Sequence, residues 1–209
     1  MLPYFNTAGT CIPGEHYMLP PERRLGLVMR LIDERRYFTL HAGRQTGKST
    51  SAQWLADHYN GSGRYCALWV DIQVAREQPD PTRAFTTVLG ALDTALEMYL
   101  PELGRPERES LLRDPATAVL GWLRQLARAA PRPLVVMFDE ADGLVGEAMV
   151  SFLTQLRSGY LGRSKAPFPH SVVLIGMRQV AFTHSPSRLV RRPRARARPE
   201  ARPGAYSCT

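Results

Sequence analysis

Cysteine is scarce in this chain of 209 residues: Cys11, Cys66 and Cys208 are far apart, odd in number and show no C-x-x-C spacing. That argues against a disulfide framework and a cysteine zinc site, and it fits thiols kept reduced. No apolar run approaches the length of a membrane span, so no membrane association is expected. The opening MLPYFNTAGT has neither a basic start nor an apolar stretch, so it does not read as a secretory signal, and the cytoplasm is the expected compartment. Asn60-Gly61-Ser62 fits a glycosylation sequon, which means little without such a signal. There is no internal repeat.

Acidic residues are outnumbered, but the imbalance is local. Of the net charge of +8, seven arginines and one glutamate from Ala181 onward carry +6, leaving +2 for residues 1–180. The high isoelectric point therefore does not define a nucleic-acid-binding domain. From Phe182, Arg, Pro, Ala and Ser dominate and apolar periodicity stops. Such a segment cannot bury enough surface to offset its ordering entropy, so residues 181–209 are expected to be a disordered tail. Its arginines suit electrostatic contact with nucleic acid, but no aromatic residue interleaves with them to read a base.

Residues 1–180 are expected to form one domain. Strand and helix signals alternate along it, the pattern of an α/β fold with a parallel sheet covered on both faces. Helices are predicted over 22–35, 48–59 (ended by Asn60-Gly61), 82–100, 116–130 and 146–160. Strands are predicted over 37–41, 65–71, 134–138 and 171–175. Residues 101–115 read as a surface connection.

Between the first strand and the second helix lies Ala42-Gly43-Arg44-Gln45-Thr46-Gly47-Lys48-Ser49-Thr50. It fits the phosphate-binding loop, with alanine at the first glycine position. Such a loop wraps backbone N–H groups around phosphates, which calls for small residues where the backbone comes close. The helix that follows points its positive end at the same anion. Lys48 is expected to reach the β- and γ-phosphates, Ser49 to bind Mg²⁺, and Thr50 to bond the α-phosphate.

Leu134 to Phe138 is an apolar strand that runs into Asp139-Glu140-Ala141-Asp142. At the carboxyl edge of a parallel sheet, acids face the ligand crevice. Asp139 is the candidate Mg²⁺ ligand and Glu140 the candidate that polarises the attacking water. A carboxylate directly after the metal-binding aspartate marks the additional-strand, catalytic-glutamate division of P-loop proteins. Strand 171–175 would then lie between the first strand and the acid-bearing one, giving the order 1-4-3-2. The competing reading makes both acids caps of the next helix.

Weaker signals remain open. Gly176 ends the last strand with no side chain to sense a phosphate. Arg44 and Arg178 either reach the site or extend into water. His41 reads as a packed strand-end histidine, and Trp69 and Trp122 as core. Tyr4, Phe5, His16 and Tyr17 either cover an adenine ring, pack elsewhere or stay disordered.

HAGRQTGKST at 41–50 and VVMFDEAD at 135–142, led in by HYMLPPERRL at 16–25, resemble bacterial AAA-like P-loop ATPases near the STAND and archaeal-ATPase groups. The resemblance spans about residues 3–180. It implies Mg-ATP as ligand, with Lys48, Ser49, Asp139 and Glu140 in the family's nucleotide, metal and water-activating roles. ATP over GTP also follows from the absence of an N/T-K-x-D guanine-reading motif. Family members continue with a fifth strand beside the P-loop strand and a helical lid. This chain becomes RLVRRPRARARPEARPGAYSCT instead, and truncation after the fourth strand is expected. Strand 37–41 would then be a bare edge, which predicts weak stability or self-association.

Three functions compete: an ATPase whose hydrolysis drives a conformational switch, a nucleotide-binding interaction module without turnover, and a small-molecule kinase using Asp71 to hold an acceptor. An unidentified protein partner is expected for the first two.

Overall fold

Leu134–Asp139 and Ser171–Gly176 have no exposed residue, as central strands of a parallel sheet require. The computed structural model of the protein describes residues 3–7, 9, 11–12, 14–43 and 45–176. Four strands, β1 (Tyr37–His41), β2 (Cys66–Asp71), β3 (Leu134–Asp139) and β4 (Ser171–Gly176), form one parallel sheet in the order β1-β4-β3-β2. This is the expected order. Among the described residues, β1 and β2 are its edges.

Among the described residues, six helices surround the sheet: α1 (Glu22–Asp33), α2 (Lys48–Ser62), α3 (Pro81–Tyr99), α4 (Arg108–Leu111), α5 (Ala118–Ala129) and α6 (Gly146–Gly162). On one face, α1 and α2 bury Leu25, Ile32, Leu55 and Tyr59 against Val135, Met137, Val173 and Ile175. On the other, α3, α5 and α6 bury Phe85, Leu92, Trp122 and Phe152 against Val136, Phe138, Val172 and Leu174. The alternation along β3 and β4 thus divides between two cores. Each such side chain contributes about 1.5–3 kcal/mol by burial.

Polar groups at the helix starts are satisfied locally. Asp80 caps α3 by accepting from the Thr82 N–H at 2.9 Å, with Pro81 in the first turn. The start of α5 is capped from another helix: buried Gln155 accepts from the Val119 and Leu120 N–H groups at 2.9 and 3.1 Å. Its amide donates to the Pro115 carbonyl at 3.0 Å.

Three expectations need correction. Asn60-Gly61 does not stop α2, which runs on to Ser62 with Gly63 as its cap. Asn60 instead donates to the Ala67 carbonyl at 2.9 Å and accepts from the Ala67 N–H at 2.8 Å, tying the helix to β2. The 101–115 connection is not all loop: it holds the single turn α4, and Leu111 packs against Gly121 of α5. Trp122 is core as expected, fully buried with its indole N–H on Asp93 at 2.9 Å. His41 is exposed rather than packed. The tail from Ala181 and the Arg178 position lie outside the described residues.

Candidate nucleotide site

Helices after β1 and helices after β3 leave on opposite faces of the sheet, so the carboxyl ends of these strands open a crevice between them. The loop after β1 enters it first. The Ala42 N–H donates to the Gly176 carbonyl at 3.4 Å, holding the loop's start to β4. The loop then turns through two left-handed residues, Gln45 (φ 56°) and Gly47 (φ 77°). At Gly47 the spacing of the motif demands glycine, because a side chain would strain that conformation. Thr46 Oγ1 donates to the Gly43 carbonyl at 3.0 Å, and Arg24 of α1 donates to the Thr46 carbonyl at 3.1 Å.

Lys48 opens α2, and its ammonium lies across the loop, donating to the Ala42 and Gly43 carbonyls at 3.0 and 2.9 Å. Gly47 offers no side chain to cap the helix, so the first N–H groups of α2 have no side-chain partner from it. Ser49 sits in that same first turn. Thr50 is engaged from outside: its Oγ1 accepts from the Cys11 N–H at 3.1 Å. Arg44 lies outside the described residues.

Asp139 ends β3 and is 2% exposed. Two donors hold its carboxylate: Trp69 Nε1–H at 3.1 Å on Oδ2 and the Glu140 N–H at 3.0 Å on Oδ1. Trp69 is therefore not simply core; it is half-buried and orients the acid. Glu140 has φ 55°, a left-handed conformation costly for a non-glycine residue, and it turns the chain sharply at the sheet edge. Burial raises the Glu140 carboxyl pKa, as do the neighbouring charges of Asp139 and Asp142; Lys48 and Arg76 oppose the rise. Asp142 packs against Gly176, where its carboxylate takes the space a Cβ would need.

Gln45 to Thr50, Asp139 and Glu140 line one cleft of about 520 Å³, together with Trp69, Asp71 and Arg76. The sequence-predicted residues that the structure describes from Gln45 onward thus converge. Ala42 and Gly43 meet them through the Lys48 ammonium. A second cleft of about 980 Å³ lies against the other flank of the loop, walled by Asn6, Cys11, Tyr17 and Met18 and sharing Gly47 and Thr50 with the first. Of the four N-terminal aromatic residues only Tyr17 lines it. Tyr4 stacks edge-on with His16 at 4.7 Å, and Phe5 pairs with Tyr17 at 5.0 Å. A further cleft, of about 600 Å³, sits at the amino ends of the strands beside Arg35, Arg163 and His170 and shares no motif residue.

Arg24, Trp69 and Arg76 were not singled out as site residues. For Trp69 and Arg76 the available signal was position, near and just past the carboxyl end of a parallel strand. Arg24 gave no such signal, since it reaches the loop across the fold.

A 1-4-3-2 parallel sheet with a phosphate-binding loop after β1 and an acid pair after β3 defines the P-loop nucleoside triphosphatase class. The profile of the AAA domain family matches residues 32–182, and the chain belongs to that family of nucleotide-binding P-loop ATPases. No curated protein matches the chain. Among solved structures, the chain is similar to Cdc6p from Pyrobaculum aerophilum, at 16% identity and a TM-score of 0.46, over 74% of this chain and 38% of that one. The chain thus spans well under half the length of that protein.

Proposed function

We propose that this chain binds Mg-ATP with its phosphates in the loop of residues 42–50 and hydrolyses it, using the cycle to switch conformation in the manner of STAND-type ATPases. The observation that carries the reading is the convergence of Lys48, Asp139 and Glu140 on one cleft, three side chains from two segments far apart in sequence. Lys48 and the loop N–H groups hold the β- and γ-phosphates. Asp139 and the Ser49 hydroxyl are hard oxygen donors suited to Mg²⁺, and an ion held by one carboxylate, one hydroxyl, phosphates and water needs no larger acidic cluster. When bound, the ion supplies charge neutralisation at the phosphates.

Glu140 takes the proton of a water whose oxygen forms the new bond to the γ-phosphorus. The bond to the β,γ-bridging oxygen breaks, and that oxygen leaves with the electron pair as ADP. The raised pKa of Glu140 suits a base that must accept this proton. The larger cleft is the size and place for the adenosine, with Tyr17 and Met18 as apolar wall.

Gly176 favours a second reading, nucleotide binding without turnover, because β4 ends without a side chain to meet the γ-phosphate. Kinase activity is less well supported: Asp71 commits one carboxylate oxygen to the Gln73 N–H at 2.8 Å. Phosphate release from Mg-ATP separates these. Hydrolysis predicts steady release by the wild type and a loss of about 100-fold or more in Glu140→Gln. A wild type that binds ATP without releasing phosphate establishes the second reading, and transfer only to an added acceptor the third.

A further inference from the structure

Among the described residues, two cations line the phosphate cleft, Lys48 and Arg76, against the carboxylates of Asp71, Asp139 and Glu140. A bound triphosphate adds more negative charge. Lys48 belongs to the loop itself. Arg76 arrives separately, from just past the 3₁₀ turn Gln73–Ala75 that follows β2.

Its placement is built rather than accidental. A Cβ on Gly143 would meet Arg76 Cγ at 3.3 Å and Cβ at 3.4 Å, so the arginine stem lies flat on that glycine. The Glu77 N–H donates to the Gly143 carbonyl at 3.0 Å, locking together the turns that follow β2 and β3. The guanidinium is carried in beside Glu140, whose ionised form it stabilises. Its ion pair is long and peripheral: Arg76 Nε lies 3.6 Å from a Glu77 side chain that is 80% exposed. That pair uses Nε and leaves both terminal amino groups for another anion. Gly176, which ends β4, and its packed neighbour Asp142 add no positive charge.

We propose that Arg76 is a catalytic residue that grips the terminal phosphate of ATP from within the same chain and stabilises the charge building there as ADP leaves. A planar guanidinium with two free amino groups matches phosphate oxygens better than an ammonium does. The proposal rests on the ATPase reading above and adds to it the group that meets the γ-phosphate.

ADP lacks that phosphate, so the two nucleotides separate this role from a structural one. Calorimetric titrations of wild type, Arg76→Gln, Arg76→Ala and Arg76→Lys with Mg-ATP and Mg-ADP are to be run beside phosphate release and thermal melts. Arg76→Gln keeps much of the stem on Gly143 should the alanine variant fold poorly. The expected result is an ATP affinity about tenfold lower in the Gln and Ala variants with ADP affinity unchanged. Turnover falls about 100-fold or more, and Arg76→Lys recovers part of it. Equal weakening of both nucleotides, or an unchanged ratio, overturns the role of Arg76 while wild-type binding and phosphate release in the same experiment keep the ATPase reading standing. A wild type that binds neither nucleotide overturns both.

Discussion

Asp139 is almost fully buried, and a buried carboxylate is tolerable only when its oxygens are bonded. Each oxygen has one donor, Trp69 on one side and the Glu140 backbone on the other. The indole therefore fixes how the carboxylate presents its remaining lone pairs to the cleft, where Mg²⁺ is proposed to bind. Replacing the partner that orients a metal ligand typically costs 10- to 100-fold in metal affinity. For Trp69→Phe, which keeps the ring and removes the donor, the Mg²⁺ concentration giving half-maximal phosphate release is expected to rise by about tenfold or more. An unchanged Mg²⁺ dependence contradicts the role given to Trp69. In the apolar run Ala67-Leu68-Trp69-Val70, only a place near the carboxyl end of the strand sets this tryptophan apart. Hydrophobic patterning reports burial, and an indole can be half-buried while its N–H acts on the next strand. The loop and the acid pair were legible for the opposite reason: their chemistry demands particular residue types at fixed spacing.

Elements follow their patterns closely in the middle and less so at their ends. The unbroken apolar runs at 134–138 and 172–175 became the two central strands, as strands buried on both faces require. The end of α2 was misjudged because asparagine before glycine usually signals a turn. Here the Asn60 amide serves both backbone groups of Ala67, a fully buried residue, so continuing the helix satisfies groups that a turn would leave unpaired. Asn60→Ala removes both bonds and leaves a buried N–H and carbonyl without the side chain. The expected cost is about 2 kcal/mol, read as a lower midpoint in urea unfolding. A midpoint within error of wild type contradicts the clip. The short helix α4 carries no amphipathic period of its own, and its place is set by the seat of Leu111 on Gly121.

At the scale of the whole molecule, the sheet order is what makes a site of residues nearly a hundred positions apart. With β4 inserted between β1 and β3, the loop at 42–50 and the acids at 139–140 face each other across one strand. That order was legible from the glutamate after Asp139. The wall contributed by the described residues between Pro3 and Leu19 was legible only as an open alternative for its aromatic residues, because the stretch has no period to read. It is held by single contacts such as the Cys11 N–H on Thr50 and by ring pairs among Tyr4, Phe5, His16 and Tyr17. Arg24 belongs to the same class, a surface position on α1 whose partner is the Thr46 carbonyl. Long-range polar contacts of this kind exist only once the chain is folded. If the clefts on either flank of the phosphate loop together hold one Mg-ATP, calorimetric titration of Mg-ATP into the wild type and Lys48→Ala reveals it. A single site is expected in the wild type, with an affinity at least about tenfold weaker in Lys48→Ala, since an ion-paired phosphate contact is lost. Equal affinities in the two proteins, or no binding by the wild type, would contradict it.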